Sequence, residues 1–321
     1  MRKFWTFSLL LFALMQVAAA QTGGTRVKEL ASFPTDKVSQ SLISPDGSLI
    51  ATGSKDEFAL WESASGKKIR SIPLAPRINA IDFSHRGGKL ALGYDNGDIK
   101  VVDARTGAAI ASAHARESVG VVAFSPDDLK IGLGTGHAFG IWVLAQAKVQ
   151  MLGRPDFGDL SDIRFSADGS IMACSAFDTN VYLVDANTMK LKKKIMDLQL
   201  PTYSMAFSAD GSRLFLAGAS GKVAVVSART WMVEREYAAL PGITERMVVS
   251  DDGKHLAMLQ ADPRSFEMPS MVTISDISGP QPKELMKETR VPGMYMRFRP
   301  SGEFLFTRWS EGALHLYSYR P

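Results

Sequence analysis

The chain has 321 residues, 45% of them hydrophobic and 22% charged, with a formal net charge of +4. That composition excludes a disordered or fibrous chain, and the near balance of charge gives no support for nucleic acid or an anionic membrane as the main partner. A single cysteine, Cys174, excludes an internal disulfide framework.

The chain opens MRKFWTFSLLLFALMQVAAAQTGG, with a basic start at Arg2 and Lys3, an apolar run over 4–17, and the small residues Ala18, Ala19 and Ala20. This layout predicts a cleaved signal peptide over residues 1–20, with Gln21 as the mature start. The apolar run is short for a spanning helix and has no basic stop-transfer flank, so no stable membrane insertion is expected after cleavage. Without the leader, 35 basic side chains face 33 acidic ones. Export without disulfides fits a bacterial periplasm.

Beyond the leader, one phrase recurs. FSADGS stands at 165–170 and again at 207–212. Looser copies begin at Ile43, Phe83, Phe124, Val249 and Phe298, so seven units follow one another at intervals of 40, 41, 41, 42, 42 and 49 residues. A period near 40 is that of a four-stranded propeller blade. Each unit reads alike. A short apolar strand ends in a Phe-Ser-type pair, and a Pro/Ala-Asp-Gly turn leads to a second apolar run. A polar turn follows, such as 94–98, then a third strand: EFALWE, DIKVVD, GIWVL, NVYLVD, KVAVVS, MVTISD and ALHLYS. A turn such as Asp103–Gly107 introduces a fourth, more polar strand. Cys174 falls in the apolar run IMACSA and is expected to be a buried strand residue.

The fourth strands KKIRSI, KLKKKI and MVEREY are the most basic. An outer sheet edge blunted by lysine against aggregation accounts for them. The last unit ends at Pro321 without a fourth strand, while residues 25–33, ahead of the first unit, are patterned like the missing one. The prediction is an all-β, seven-bladed propeller over 21–321, closed by this N-terminal strand joining the last blade.

At this point the chain resembles the WD-repeat family across essentially all of its mature length. The carriers are the SPDG-like turns, Leu60-Trp61-Glu62 and Ile141-Trp142 in third strands, and the turns Asp103–Gly107 and Asp185–Met189. His114 stands ten residues before Phe124, near where the family places a histidine. The family's His/Ser/Asp/Trp network is complete in no unit, and Gly136-His137 stands where an aspartate is expected. The resemblance implies a rigid scaffold that binds proteins or peptides across the face built from inter-blade loops and second-to-third-strand turns. It implies no catalytic residues.

On the unit grammar, the SPDG-type and Asp103–Gly107-type turns share one face and read as structural. The other face collects the inter-blade loops, six of seven of which contain proline, which stiffens a rim and lowers the entropy lost on binding. To this face the grammar assigns Arg77, Arg116, Arg154, Arg264, Arg290 and Arg308, with Phe157, Phe177, Phe266 and Trp309. Arginine with aromatics is the composition of interface hot spots, so these ten residues are the candidate partner-binding set, for a protein or peptide carrying carboxylates or an acidic segment. An insertion in the sixth unit, within 260–270, adds Arg264, Phe266 and Met268 to the same face.

Catalytic chemistry is not legible. The histidines 85, 114, 137, 255 and 315 show no metal-ligand spacing, and no metal or cofactor is expected. No phosphate loop or nucleophile elbow occurs, and Asp95 and Asp98 read as turn residues around Asn96-Gly97. The first strands should line the central channel and offer Asp82, Asp162, Arg164 and Arg297. The alternative function, a metal-dependent hydrolase or lactonase-like propeller enzyme, would use that channel mouth.

Overall fold

In the computed structural model the described residues are 27–35, 38–54, 57–73, 76–136, 138–146, 148–153, 160–195, 201–238, 242–261, 270–288, 293–310 and 312–321. The predicted signal peptide lies outside them. They form 28 strands in seven antiparallel four-stranded sheets, with no helix among them. In six sheets the strands follow chain order from the inner edge outward. The inner strands are Val38–Ile43, Ile78–Phe83, Val121–Phe124, Leu160–Phe165, Thr202–Phe207, Ile243–Val249 and Gly293–Phe298. Each packs beside the next around the ring, and the seventh returns to the first.

The closing sheet is the exception in chain order. Lys28–Pro34 pairs antiparallel with Ala313–Tyr319 and supplies the outer strand of the seventh blade. Phe33 explains why it docks there. Its ring is fully buried among Ile43, Ile50, Leu305, Leu314 and Leu316, and meets Trp61 edge-on at 5.9 Å between centroids. One side chain of the N-terminal strand thus joins blade 7 to blade 1, and the predicted closure is what the structure has.

The repeated phrase has two physical jobs. Its aromatic residue packs between blades, as Phe83 does in a cluster holding Leu42, Leu49 and Leu60 of blade 1 and Leu90 and Leu92 of blade 2. Its serine and aspartate build the turn. The Ser166 hydroxyl donates to Asp168 at 2.5 Å and accepts the Ile171 N–H at 3.0 Å, and the same pattern holds at Ser44, Ser125, Ser208 and Ser250. The turn hydrogen bonds hold the Asp168 carboxyl below the usual carboxylate range, the Ser166 bond most of all.

Six inner strands also share a register shift near their start, at Asn79, Ser161 and Tyr203 for example. Such a bulge bends and twists a strand, and here it separates the residues at the loop face from those further down the channel. Cys174 is fully buried, as expected, and burial pushes its thiol well above its ordinary range.

Candidate functional site

Backbone hydrogen bonds bring the inter-blade loops and the second-to-third-strand turns onto one face. The Asp95 N–H donates to the Arg77 carbonyl at 2.9 Å, the Ala115 N–H to Gly97 at 2.8 Å, and the Ala219 N–H to Pro201 at 3.1 Å. Gly97 is required at this junction. Its φ is +91°, and a Cβ there would stand 2.3 Å from the Ala115 carbonyl oxygen.

On this face Arg77 and Arg116 are exposed. Phe177 is 48% exposed and leans on Tyr203 of the next blade, with ring centroids 5.3 Å apart. Beside it the Tyr182 hydroxyl donates to Asp178 and fixes the turn that carries Phe177. Arg308 and Trp309 are half-buried in blade 7. The Trp309 ring packs on the cluster that holds Phe33 and Trp61, and its Nε1 and the Arg308 Nε are buried with no hydrogen-bond partner among the described residues. Arg154, Phe157, Arg264, Phe266 and Arg290 lie outside the described residues, as do His137 and Met268. The structure therefore brings Phe177 to Tyr203 and leaves Arg77 and Arg116 exposed at the rim, with no ion-pair partner among the described residues.

The polar network that the family resemblance implies survives in pieces. The Trp61 Nε1–H donates to the Thr52 hydroxyl at 2.9 Å in blade 1, and the Trp142 Nε1–H to the Gln146 carbonyl at 2.8 Å in blade 3. His114 ends the outer strand of blade 2 and pairs at 3.0 Å with Asp98 on the adjacent strand. Asp98 is thus more than a turn residue, and its bond to His114 is the main cause holding its carboxyl below the usual range.

The channel residues named from sequence do converge. Asp82, Arg164 and Arg297 each stand one residue before the end of an inner strand, and all three line a cavity of about 420 Å³ at the end of the channel where those strands finish. His85, Pro126, Ala167, Ser208 and Asp251 belong to the first turns and rim it. The cavity therefore lies toward the face read from sequence as structural, opposite the loop rim. Asp162, Arg246 and Tyr295 stand two residues further up their strands, with the Arg246 guanidinium 5.2 Å over the Tyr295 ring. Sequence reading missed Arg246 and Tyr295, although counting back three residues from the strand-ending Val249 and Phe298 reaches both.

Much of this polar set stitches neighbouring blades. Asp82 accepts the Phe124 N–H at 2.8 Å, Asp162 the Met205 N–H at 2.8 Å, and Ser204 the Met247 N–H at 2.9 Å. Arg164 donates to the Met205 carbonyl at 3.0 Å and pairs with Asp162 at 3.3 Å. Burial pushes the Asp82 and Asp162 carboxyls above their ordinary range, against the opposing pull of these donors and of the nearby guanidiniums. Among the described residues no group of three or more His, Cys, Asp and Glu side chains could hold a metal ion, and no helix is long and apolar enough to cross a membrane.

These features define a seven-bladed propeller with apolar blade-to-blade packing and a divergent polar network. The family model described as the anaphase-promoting complex subunit 4 WD40 domain matches residues 42–127, from the inner strand of blade 1 through the first turn of blade 3. Together with the seven four-stranded blades, that match supports a WD40-repeat propeller family. No curated protein matches the chain.

Proposed function

We propose that the protein is a non-enzymatic, exported interaction scaffold that works in the periplasm and holds a protein or peptide partner across its inter-blade-loop face. WD40 propellers are commonly protein-interaction scaffolds, and that is the general ground for the reading. The observation that carries it is exposed Phe177 packed on half-buried Tyr203, on a rim where Arg77 and Arg116 are exposed and have no ion-pair partner among the described residues. An aromatic anchor at blades 4 and 5, on the same face as guanidiniums at the blade 1–2 and 2–3 loops, fits an extended partner that presents an apolar side chain and carboxylates. The location rests on the leader pattern of residues 1–20.

The test is affinity capture from a periplasmic fraction with a C-terminally tagged chain, followed by mass spectrometry. The wild type should be recovered from that fraction without its leader and with an envelope protein bound. A variant carrying Arg77→Glu, Arg116→Glu and Phe177→Ala should lose that partner at least about tenfold, since interface hot spots cost about 2 kcal/mol or more each. Recovery of the mature chain in the cytoplasm, or equal capture by the variant, contradicts the proposal.

A further inference from the structure

We propose that the channel cavity on the first-turn face binds a small zwitterion with an apolar substituent, the chemistry of a free apolar α-amino acid. This site is separate from the loop rim and does not depend on the scaffold reading. The cavity, about 420 Å³, falls within the range of small-molecule sites, roughly 300–1,000 Å³. Its wall is polar and apolar in about equal measure, and Ala206, Phe207 and Val248, half-buried residues of neighbouring blades 5 and 6, supply an apolar side.

The charges are what select the ligand. Arg164 is already committed, through Nε to the Met205 carbonyl, Nη1 to the Ile163 carbonyl and Nη2 to Asp162. His85 is turned to Asp128, 3.5 Å away. Asp251 is exposed to solvent at the rim, and two less exposed groups are left. Among the described residues Asp82 accepts only the Phe124 N–H, on Oδ2, and Oδ1 takes no hydrogen bond. Among the same residues Arg297 donates only from Nη1, to the Ile43 carbonyl at 3.0 Å. Neither has an oppositely charged side chain within 4.0 Å among the described residues.

They occupy equivalent positions in blades 2 and 7, at the same depth, and blade 1 between them contributes Leu42 at that position. A carboxylate and a guanidinium with capacity to spare therefore face one cavity, whose third inner-strand charge, Arg164, is paired with Asp162. A simple anion would satisfy Arg297 and be repelled by Asp82, and a simple cation would meet the reverse. A ligand with an ammonium and a carboxylate satisfies both, and its apolar group lies against Ala206, Phe207 and Val248.

The test is isothermal titration calorimetry on the purified mature chain with free leucine, methionine and phenylalanine, and with the N-acetyl and carboxamide derivative of each. At least one free amino acid should bind saturably with one-to-one stoichiometry. Blocking either end should weaken binding about tenfold or more, because hydrogen bonds to charged groups are the strong ones. Asp82→Asn keeps an acceptor for the Phe124 N–H, and Val248→Phe fills the cavity while leaving both charges. Each should weaken binding to the same degree or abolish it. Absence of saturable heat with every free proteinogenic amino acid up to about 10 mM, well above a millimolar dissociation constant, overturns the proposal. So does equal binding by the blocked derivatives, a comparison made on the wild-type chain that needs no variant to fold.

Discussion

Blade 2 borrows a carboxylate, and the loan can be measured. Its first turn reads Ser84-His85-Arg86-Gly87, without the aspartate that Asp46, Asp127, Asp168, Asp210 and Asp252 supply elsewhere. Asp128 of blade 3 reaches this turn from across the blade boundary and binds two other donors of it. Its carboxylate accepts the His85 N–H at 2.6 Å and the Arg86 N–H at 3.2 Å. To do so it is buried and sits at φ 59°, where the corresponding residue of blades 1, 4, 5 and 6 is glycine. Asp128→Ala removes two charge-assisted bonds, each about 1.5–3 kcal/mol net, and leaves a side chain in the left-handed region at about 1–2 kcal/mol. Water can reach the exposed His85-Arg86 turn and recovers part of the loss, so about 3 kcal/mol is expected. Asp128→Gly loses the same bonds but relieves the backbone, and should cost about 1–2 kcal/mol. Urea unfolding monitored by tryptophan fluorescence reads both from the midpoint at constant slope. Wild-type stability or better for Asp128→Gly would show that strain outweighs the cross-blade bonds and would refute the reasoning.

Further outcomes follow from the same packing and charge arguments. Phe33→Ala should destabilise the ring by about 3–5 kcal/mol, whereas Leu30→Ala, on the exposed side of the same strand, should stay within about 1 kcal/mol in the same urea assay. Burial raises the folded-state value of the Asp82 carboxyl above that of the unfolded chain, so wild-type stability contains a penalty at neutral pH that fades as pH falls through the folded value. Asp82→Asn should therefore raise the urea midpoint at pH 7 and lose that advantage in acid. Asp168 and Asp210 behave oppositely. Their carboxyls are held below the unperturbed 3.8, chiefly by the Ser166 and Ser208 hydroxyls, so their contribution is present above that value and lost as pH falls through the lower folded one. A double Asp168→Asn, Asp210→Asn variant should show a shallower loss of Tm in acid.

The blade count, the strand order and the closing strand could be read from the chain because the repeat fixes a turn chemically. Ser166 and Asp168 make the same bonds as Ser208 and Asp210, so identical letters carry identical geometry. The outer strands were legible for a related reason, since Lys192 and Lys193 lie at an edge where lysine prevents pairing. What escaped is non-local. Asp128 looks like a drifted glycine until the neighbouring turn, some forty residues earlier, is seen to lack its own carboxylate. Asp82, Asp162, Arg164 and Arg297 were placed in the channel by position alone. Which of them is saturated and which is left facing the cavity depends on carbonyls of other blades, such as Met205 and Ile43. On the loop face the exposed Phe177 was anticipated, but its partner Tyr203 was not, because Tyr203 occupies a strand bulge that the alternation of apolar residues does not mark.

Both the loop face and the channel depend on the ring being closed by its own two ends. Ser32 lies opposite His315 in the antiparallel pair that closes it, and directly opposed residues have Cα separations of about 4.5–5.5 Å, inside the range a disulfide spans. The most direct measurement is thiol titration and intact mass of a Ser32→Cys, His315→Cys chain after mild oxidation, beside a Ser32→Cys, Ser112→Cys control directed at blade 2. Closure as described predicts a quantitative intramolecular disulfide in the first protein, two free engineered thiols in the second, and a raised Tm for the first alone. Free thiols in the first, or a disulfide in the second, would put the N-terminal strand elsewhere and contradict the account.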